Sequence, residues 1–264
     1  MGLLRKLTFL FYGLFTISGE MMALLGRTLV ELPSVFRGGR RTLLCMMEFG
    51  FYTLPLASFI GLFIGMVTAL QTGLELKDLG LVESIGTIVG LSVVQEMGPV
   101  ITAFIICGRV GAAMTAELGT MAVTEEIDVL RSLGISPVRF LVVPRFVAAV
   151  TMLPILTIYS ILIGIWGGMI VATSSYLGVS QVVYYKRMFD ALHLYHIAGG
   201  MSKTFVFAAI IAIVCCHFGL KATNGVEGVG KSTMRAVVAS LVSILIADFF
   251  MIAYVSDFWR WLLG

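Results

Sequence analysis

Uncharged apolar runs divide this chain, and their lengths predict helices that cross a membrane. The stretch from Phe49 to Leu74 holds no charged residue and closes on Glu75, Lys77 and Asp78. A bilayer core asks for about 20 apolar residues per helical crossing, so this is a first span, about 49–75. A second, about 84–118, is apolar apart from Glu96, Arg109 and Glu117. As a helix it would reach roughly 50 Å, longer than the hydrocarbon, so it must tilt, kink or protrude. Gly98-Pro99 is the expected kink. The uncharged run from Phe146 to Tyr185 fits either one span with a polar end or a hairpin of two. A hairpin would turn at Gly164-Ile165-Trp166-Gly167-Gly168 and leave backbone groups unpaired at depth. Thr173-Ser174-Ser175 is the better exit, which gives one span, about 146–173. A fourth follows at about 197–220 and a fifth, carrying Asp248, at about 236–256.

The segment 3–32 is apolar but interrupted by Glu20 and Arg27 and closed by Pro33. It could form a poor span. Its charges, with Arg37, Arg40 and Arg41 after it, fit a helix lying in the cytoplasmic interface better. The basic pair Arg5 and Lys6 precedes an apolar stretch without a small-residue cleavage site before Glu20, so the segment is expected to stay in the mature chain. The basic tally sets the N-terminus and the 119–137 loop inside, although it does not choose between one and two crossings in 146–185.

Composition agrees with this pattern. Of 264 residues, 59% are hydrophobic and 12% charged, and the mean hydropathy is +1.01. An ordinary soluble domain carries about twice that share of charge, so a water-soluble globule is excluded. A net charge of +3, dispersed along the chain, speaks against nucleic acid as a partner. The expected fold is an all-α polytopic membrane protein with an N-terminal interfacial helix and basic linker (1–40), then five transmembrane helices and a cytoplasmic coupling helix (41–264).

The most polar stretch, 119–137, reads as a short helix of about ten residues, 122–134. Thr124 can cap its start, Glu125, Glu126 and Asp128 suit its positive end, Arg131 its negative end, and Gly134 a left-handed exit. Ile127, Leu130 and Leu133 offer apolar contacts, either to a partner or to the chain's own bundle. Such a foot is what a permease needs to receive force from a separate ATPase. The next internal loop holds Gly225-Val226-Glu227-Gly228-Val229-Gly230-Lys231-Ser232, which matches the phosphate-binding G-x-x-x-x-G-K-[ST] pattern. That motif needs a strand before it and an α/β domain around it, and membrane spans flank it here. A flexible glycine turn is the expectation, with Ser232 or Thr233 capping the fifth span.

Ionisable groups inside spans usually pair or line a polar cavity. Counted from the outer ends of antiparallel fourth and fifth spans, Lys203 lies roughly 9 Å deep and Asp248 roughly 14 Å, so the two could meet. They would either register the bundle or contact substrate. Glu96 sits near mid-membrane with no partner evident at its level, which makes it the best candidate for lining a translocation cavity. Arg109 and Glu117 are expected to bind loop backbone or neighbouring helices. Gly61, Gly65, Gly108 and Gly111 offer small-residue faces for close packing. His193 and His196 share a helix face without a third ligand, and Cys45, Cys107, Cys215 and Cys216 show no C-x-x-C spacing, so neither a metal site nor a disulfide is expected. No nucleophile set or paired-carboxylate arrangement is evident, and no enzyme is expected.

The run Leu91-Ser-Val-Val-Gln-Glu-Met-Gly-Pro-Val100, with Gly108-Arg-Val-Gly-Ala-Ala-Met-Thr-Ala-Glu-Leu-Gly119, Val123-Thr-Glu-Glu-Ile-Asp128, the segment Leu133 to Arg145 and Gly164–Gly168, resembles the MlaE (YrbE) permease family over roughly 49–256. The resemblance implies a homodimeric permease of an ABC transporter, moving phospholipid or other lipid between the inner membrane and a periplasmic MCE-domain carrier. It implies two ATPase subunits of MlaF type, which hold the ATP, a hexamer of an MCE-domain protein of MlaD type, and a STAS-domain protein of MlaB type. No cofactor belongs to this chain itself. By matching position, 122–134 is similar to the coupling helix, and Glu96 to a charged residue near the family's lipid cavity. Lys203 and Asp248 fall where relatives place charges. Gln95 departs from relatives that carry Arg there. Leu70, Leu74 and Leu76 near the outer end of the first span are expected to touch acyl chains. The rival readings are an ion-coupled secondary transporter, for which no internal repeat is visible, and a structural scaffold.

Overall fold

A computed structural model describes residues 2–37, 39–175 and 177–263, and among them every regular element is a helix, with no strand. Helix α1 (Gly2–Glu31) leads through a 3-10 turn into α2 (Gly39–Phe49) and α3 (Leu54–Asp78). The second span is α4 (Ile85–Ser92), α5 (Gly98–Ile106) and α6 (Ala112–Val123), joined end to end by π-helical turns at Val93–Met97 and Cys107–Gly111. Then come α7 (Glu126–Ser132), α8 (Val143–Ala172), α9 (Gln181–Ala191), α10 (Leu194–Leu220) and α11 (Gly225–Leu263). Among the described residues five helical stretches are long and apolar enough to cross a membrane: Gly39–Asp78, Val82–Val123, Val138–Ala172, Leu194–Leu220 and Gly225–Tyr254.

All five are longer than the sequence ranges, because helix outlasts the apolar run wherever polar residues face outward. At 42 residues the second span is on the order of 60 Å long, so it protrudes. Ahead of Pro99 its helix widens into a π turn. Gly98 N–H reaches back five residues to Val93 O. Pro99 has no N–H to give, and its ring would press on the carbonyl four residues earlier, so the wider turn relieves it. The third span is one continuous helix containing Gly164 to Gly168, as the single-crossing reading expects. Close approach of α3 and α8 explains the glycines: a Cβ on Gly65 would lie 1.8 Å from Gly164 O. Gly61 packs on Ser160 and Gly111 on Cys215 in the same manner, whereas Gly108 meets nothing within 4 Å and is not a packing residue.

One expectation fails at the glycine-rich motif. Residues 225–232 are the first turns of α11, and Lys231 bonds Glu227 at 2.6 Å, one helical turn away. The break falls earlier, where Asn224 and Gly225 take φ of 65° and 66°. Thr233 donates back to Val229 O at 2.9 Å instead of capping. Helix α9 was not anticipated. Its buried Tyr184 donates to Ile165 O at 3.2 Å and fastens it to α8.

The second half of α1 lies across one end of the bundle. Glu20 binds Lys221, just past α10, and Glu31 accepts from Ser136 Oγ at 3.0 Å, ahead of α8. Eleven helical residues separate the two carboxylates, about 16 Å of axis. Both partners sit at the end of the bundle that also carries α7.

Candidate functional site: a three-helix charge cluster

Lys203, in the first half of α10, is 4% exposed, and its ammonium group joins three elements. It donates to Glu96 Oε1 at 2.6 Å, on the π turn of the second span. It also forms an ion pair with Asp248 Oδ1 of α11 at 2.9 Å, at an angle outside hydrogen-bond geometry. The antiparallel pairing of Lys203 with Asp248 matches the depth arithmetic. Glu96, however, is not alone at its level. Two local features bring it to Lys203. The π turn rotates Glu96 relative to a regular helix, and Gly200 lets α10 come close, since a Cβ there would stand 2.4 Å from Val94 O. Gly200 precedes Lys203 by three residues, so the contact point and the charge share a helix face.

Two carboxylates face one ammonium, and the three differ in access. The Lys203 side chain is 5% exposed, Asp248 14% and Glu96 37%. Glu96 is therefore the member through which the buried charge communicates with the protomer's surface. Chemically the cluster is a polar, acceptor-rich point among apolar helices, suited to holding a headgroup but holding no nucleophile.

The expected acyl contacts divide. Leu70 and Leu74 are exposed on α3, continuing a stripe with Phe59, Phe63 and Val67 at helical spacing. Leu76 is buried, packed with Ile85 and Tyr184 in the second core cluster, because it lies two residues from Leu74 and so on another face. It is a core residue and not a surface for lipid.

The predicted coupling helix is shorter than 122–134: α6 runs to Val123 and α7 covers Glu126–Ser132. Thr124 does not cap it. Its hydroxyl donates to Thr120 O and Glu126 Oε1, while Glu125 sits at the cap position with φ 61°. Arg131 pairs with Asp128 at 2.8 Å, and Gly134 makes the expected left-handed exit at φ 72°. Ile127 is 4% exposed and Leu130 packs beside it, both turned into the chain's own core. Val129 and Leu133, 56% and 68% exposed, form the outward apolar face. At about 100° per residue, 127 and 130 share one side and 129 and 133 the other.

Other ionisable residues hold the frame. Arg109 donates to Thr53 Oγ1 at 2.7 Å and to Glu48 O at 3.2 Å, tying the second span to the first. Glu117 pairs with the buried Arg145 at 2.8 Å.

Residues 42–254 match the family described as Permease MlaE. A probable ABC transporter permease protein of Synechocystis is 40% identical over 212 residues, 80% of each chain. The chloroplast protein trigalactosyldiacylglycerol 1 of Arabidopsis thaliana is 38% identical over 215 residues, 81% of this chain and 61% of that longer protein. The intermembrane phospholipid transport system permease protein MlaE of Haemophilus influenzae is 36% identical over 209 residues, 79% of this chain and 80% of the other. With five membrane-spanning helices and a match across them, this chain belongs to the MlaE permease family.

Proposed function

We propose that this chain is the membrane subunit of an ABC transporter that moves phospholipid or a related lipid between the inner membrane and a periplasmic MCE-domain carrier, serving outer-membrane lipid balance. The observation that carries the reading is the buried Lys203 cluster reaching the protomer's surface through Glu96, within a family that includes a phospholipid transport permease. Two copies enclose a cavity between their first, second and fifth spans. Apolar faces such as Leu70 and Leu74 receive acyl chains, and Glu96 with Lys203 and Asp248 meets the headgroup. The chain has no catalytic residue of its own. A pair of MlaF-type ATPases binds and hydrolyses ATP, docking on α7 through Val129, Leu133 and the charged rim of Glu125, Glu126, Asp128 and Arg131. An MlaD-type MCE hexamer sits on the opposite face, and an MlaB-type STAS protein accompanies the ATPases.

Arg131, Arg139, Arg145 and Lys221 gather at the end that carries α7, which supports placing that end and the N-terminus in the cytoplasm. Co-purification from native membranes, with mass spectrometry of protein and lipid, tests the proposal. The expected result is an ABC ATPase, an MCE-domain protein and stoichiometric phospholipid. Purification of the chain with neither protein would contradict it.

A further inference from the structure

Helix α9 carries Lys186, Arg187 and Asp190, and its charge hides it from the hydropathy pattern, yet its contacts lie along the sides of spanning helices. Tyr184 Oη donates to Ile165 O, seven residues before the end of α8 and about 10 Å of axis inside that end. Two glycines of α4 admit α9 closely: a Cβ on Gly86 would stand 2.2 Å from Tyr184 O, and one on Gly90 2.5 Å from Met188 Cγ. Between them the Thr87 hydroxyl donates to Arg187 O at 2.9 Å. The steps from 86 to 90 and from 184 to 188 are equal and in the same sense, so α9 runs parallel to α4. Since the second span heads from α4 toward α7, α9 enters from the end opposite α7 and points into the membrane. Arg187 reaches back toward that end to pair with Glu83 at 3.3 Å.

The chain breaks at Leu192 and His193 and resumes as α10 in the same direction, with Gly200 against Val94 and Gly219 against Leu118. A broken helix at membrane depth has to satisfy its own backbone groups. Here imidazoles do so. His193 N–H donates to His196 Nδ1 at 3.2 Å, the His193 side chain accepts from the N–H of His196, and Leu192 N–H donates to Met188 O at 3.0 Å. The two histidines thus close a capping box.

The outward face of α9 has the chemistry of a membrane boundary. Val182 and Phe189, 77% and 66% exposed, lie two turns apart on one face, with Tyr185 and Lys186 between them. The Tyr185 ring stacks on Phe189 with centroids 6.4 Å apart. Tyrosine and a long lysine stem suit the headgroup level, where each keeps an apolar body in hydrocarbon and a polar tip in water. Lys186 stands at the centre of the face, where a packed protein surface would strand its charge and a lipid surface lets it reach phosphate.

We propose that α9 is a re-entrant half-helix embedded in the leaflet at the end opposite α7, with acyl chains covering Val182 and Phe189 and the Lys186 ammonium reaching lipid phosphates. Phe189 lies deeper than Val182. Embedding follows from the five spans alone and does not depend on what the protein transports.

The test uses the full-length protein in phosphatidylcholine vesicles that contain phospholipid with a diazirine in its acyl chain. Photolysis and peptide mass spectrometry map the lipid adducts, and hydroxyl-radical footprinting maps access from water. Lipid adducts are expected at Val182 and Phe189, as at Phe59 and Phe63 on the exposed stripe of α3, with little oxidation of Phe189. Oxidation of Phe189 as strong as that of Leu133 on α7, without lipid adducts, would overturn the proposal by placing α9 in water. Absence of both labels would also overturn it and assign the face to a second copy or another protein. Two variants read depth independently. Phe189→Asp is expected to lower the unfolding midpoint in vesicles more than Val182→Asp does, since a charge costs more nearer the bilayer centre. Midpoints equal to wild type in both variants would contradict embedding, because substitutions on a solvated face change stability little.

Discussion

Lys203 and Glu96 meet at 2.6 Å across two membrane-spanning stretches that are 107 residues apart in sequence. With Asp248 on the other side, the ammonium is the centre of a charge cluster that no single helix could assemble. Removing it leaves two carboxylates facing each other in a largely buried site, and breaking a buried pair in this way costs about 3–5 kcal/mol. Lys203→Met is therefore expected to lower the thermal midpoint in detergent sharply. Lys203→Met combined with Asp248→Asn and Glu96→Gln should recover most of the loss, since all the charges go together.

Gly200 sets the distance in that cluster. A methyl group there would stand 2.4 Å from Val94 O, which is backbone and cannot rotate away. Gly200→Ala should push α10 off the π turn at a cost of about 1–3 kcal/mol. The measurement is thermal unfolding, with Gly199→Ala as control, because nothing stands within 4 Å of a Cβ at Gly199.

The two faces of α7 separate stability from partner binding. Ile127→Ala opens a cavity in the core and should cost about 2–5 kcal/mol. Val129→Asp with Leu133→Asp touches only exposed positions and should leave stability within roughly 0.5 kcal/mol of wild type. The double variant is expected to release the ATPase in a pull-down, and retention would remove α7 as the docking foot.

Glu20 gives α1 a pH dependence. The hydrogen bond from Lys221 holds its carboxyl below the usual carboxylate range. A carboxyl with a depressed folded-state value contributes its stability above the unfolded value, about 4.3, and loses it as pH falls through the lower folded value. Docking of α1 on the end of α10 should thus be constant at neutral pH and weaken in acid. Hydrogen exchange of residues 20–31 should rise on acidification in wild type, and Glu20→Gln should show the raised exchange already at pH 7.

The glycine-rich motif makes a separate forecast. Lys231 is spent on Glu227 within a helix, and no phosphate cradle exists in that geometry. The purified chain should not bind ATP analogues, and Lys231→Ala should leave its thermal midpoint in ATP unchanged.

The five spans were legible because burial in lipid leaves long uncharged runs, which survive without any knowledge of packing. Asp248 and Lys203 were legible as a pair because depth along antiparallel helices is simple arithmetic. Glu96 was misread as solitary for a local reason: its contact depends on a π turn and on Gly200, and neither alters the hydropathy pattern. Leu76 was misassigned by position near a span end, where helix phase should have separated it from Leu70 and Leu74. The Gly225–Ser232 segment was expected to turn because glycines disfavour helix, yet Glu227–Lys231 pairing and continuation into the apolar α11 carry it through.

The most direct test of the account is ATP-dependent transfer of a labelled phospholipid by the co-purified complex in proteoliposomes, comparing wild type with Glu96→Ala. The account predicts transfer that requires ATP in wild type, and at least a tenfold loss in the variant with the complex still assembled. Transfer driven by an ion gradient without ATP, or undiminished transfer by Glu96→Ala, would contradict it.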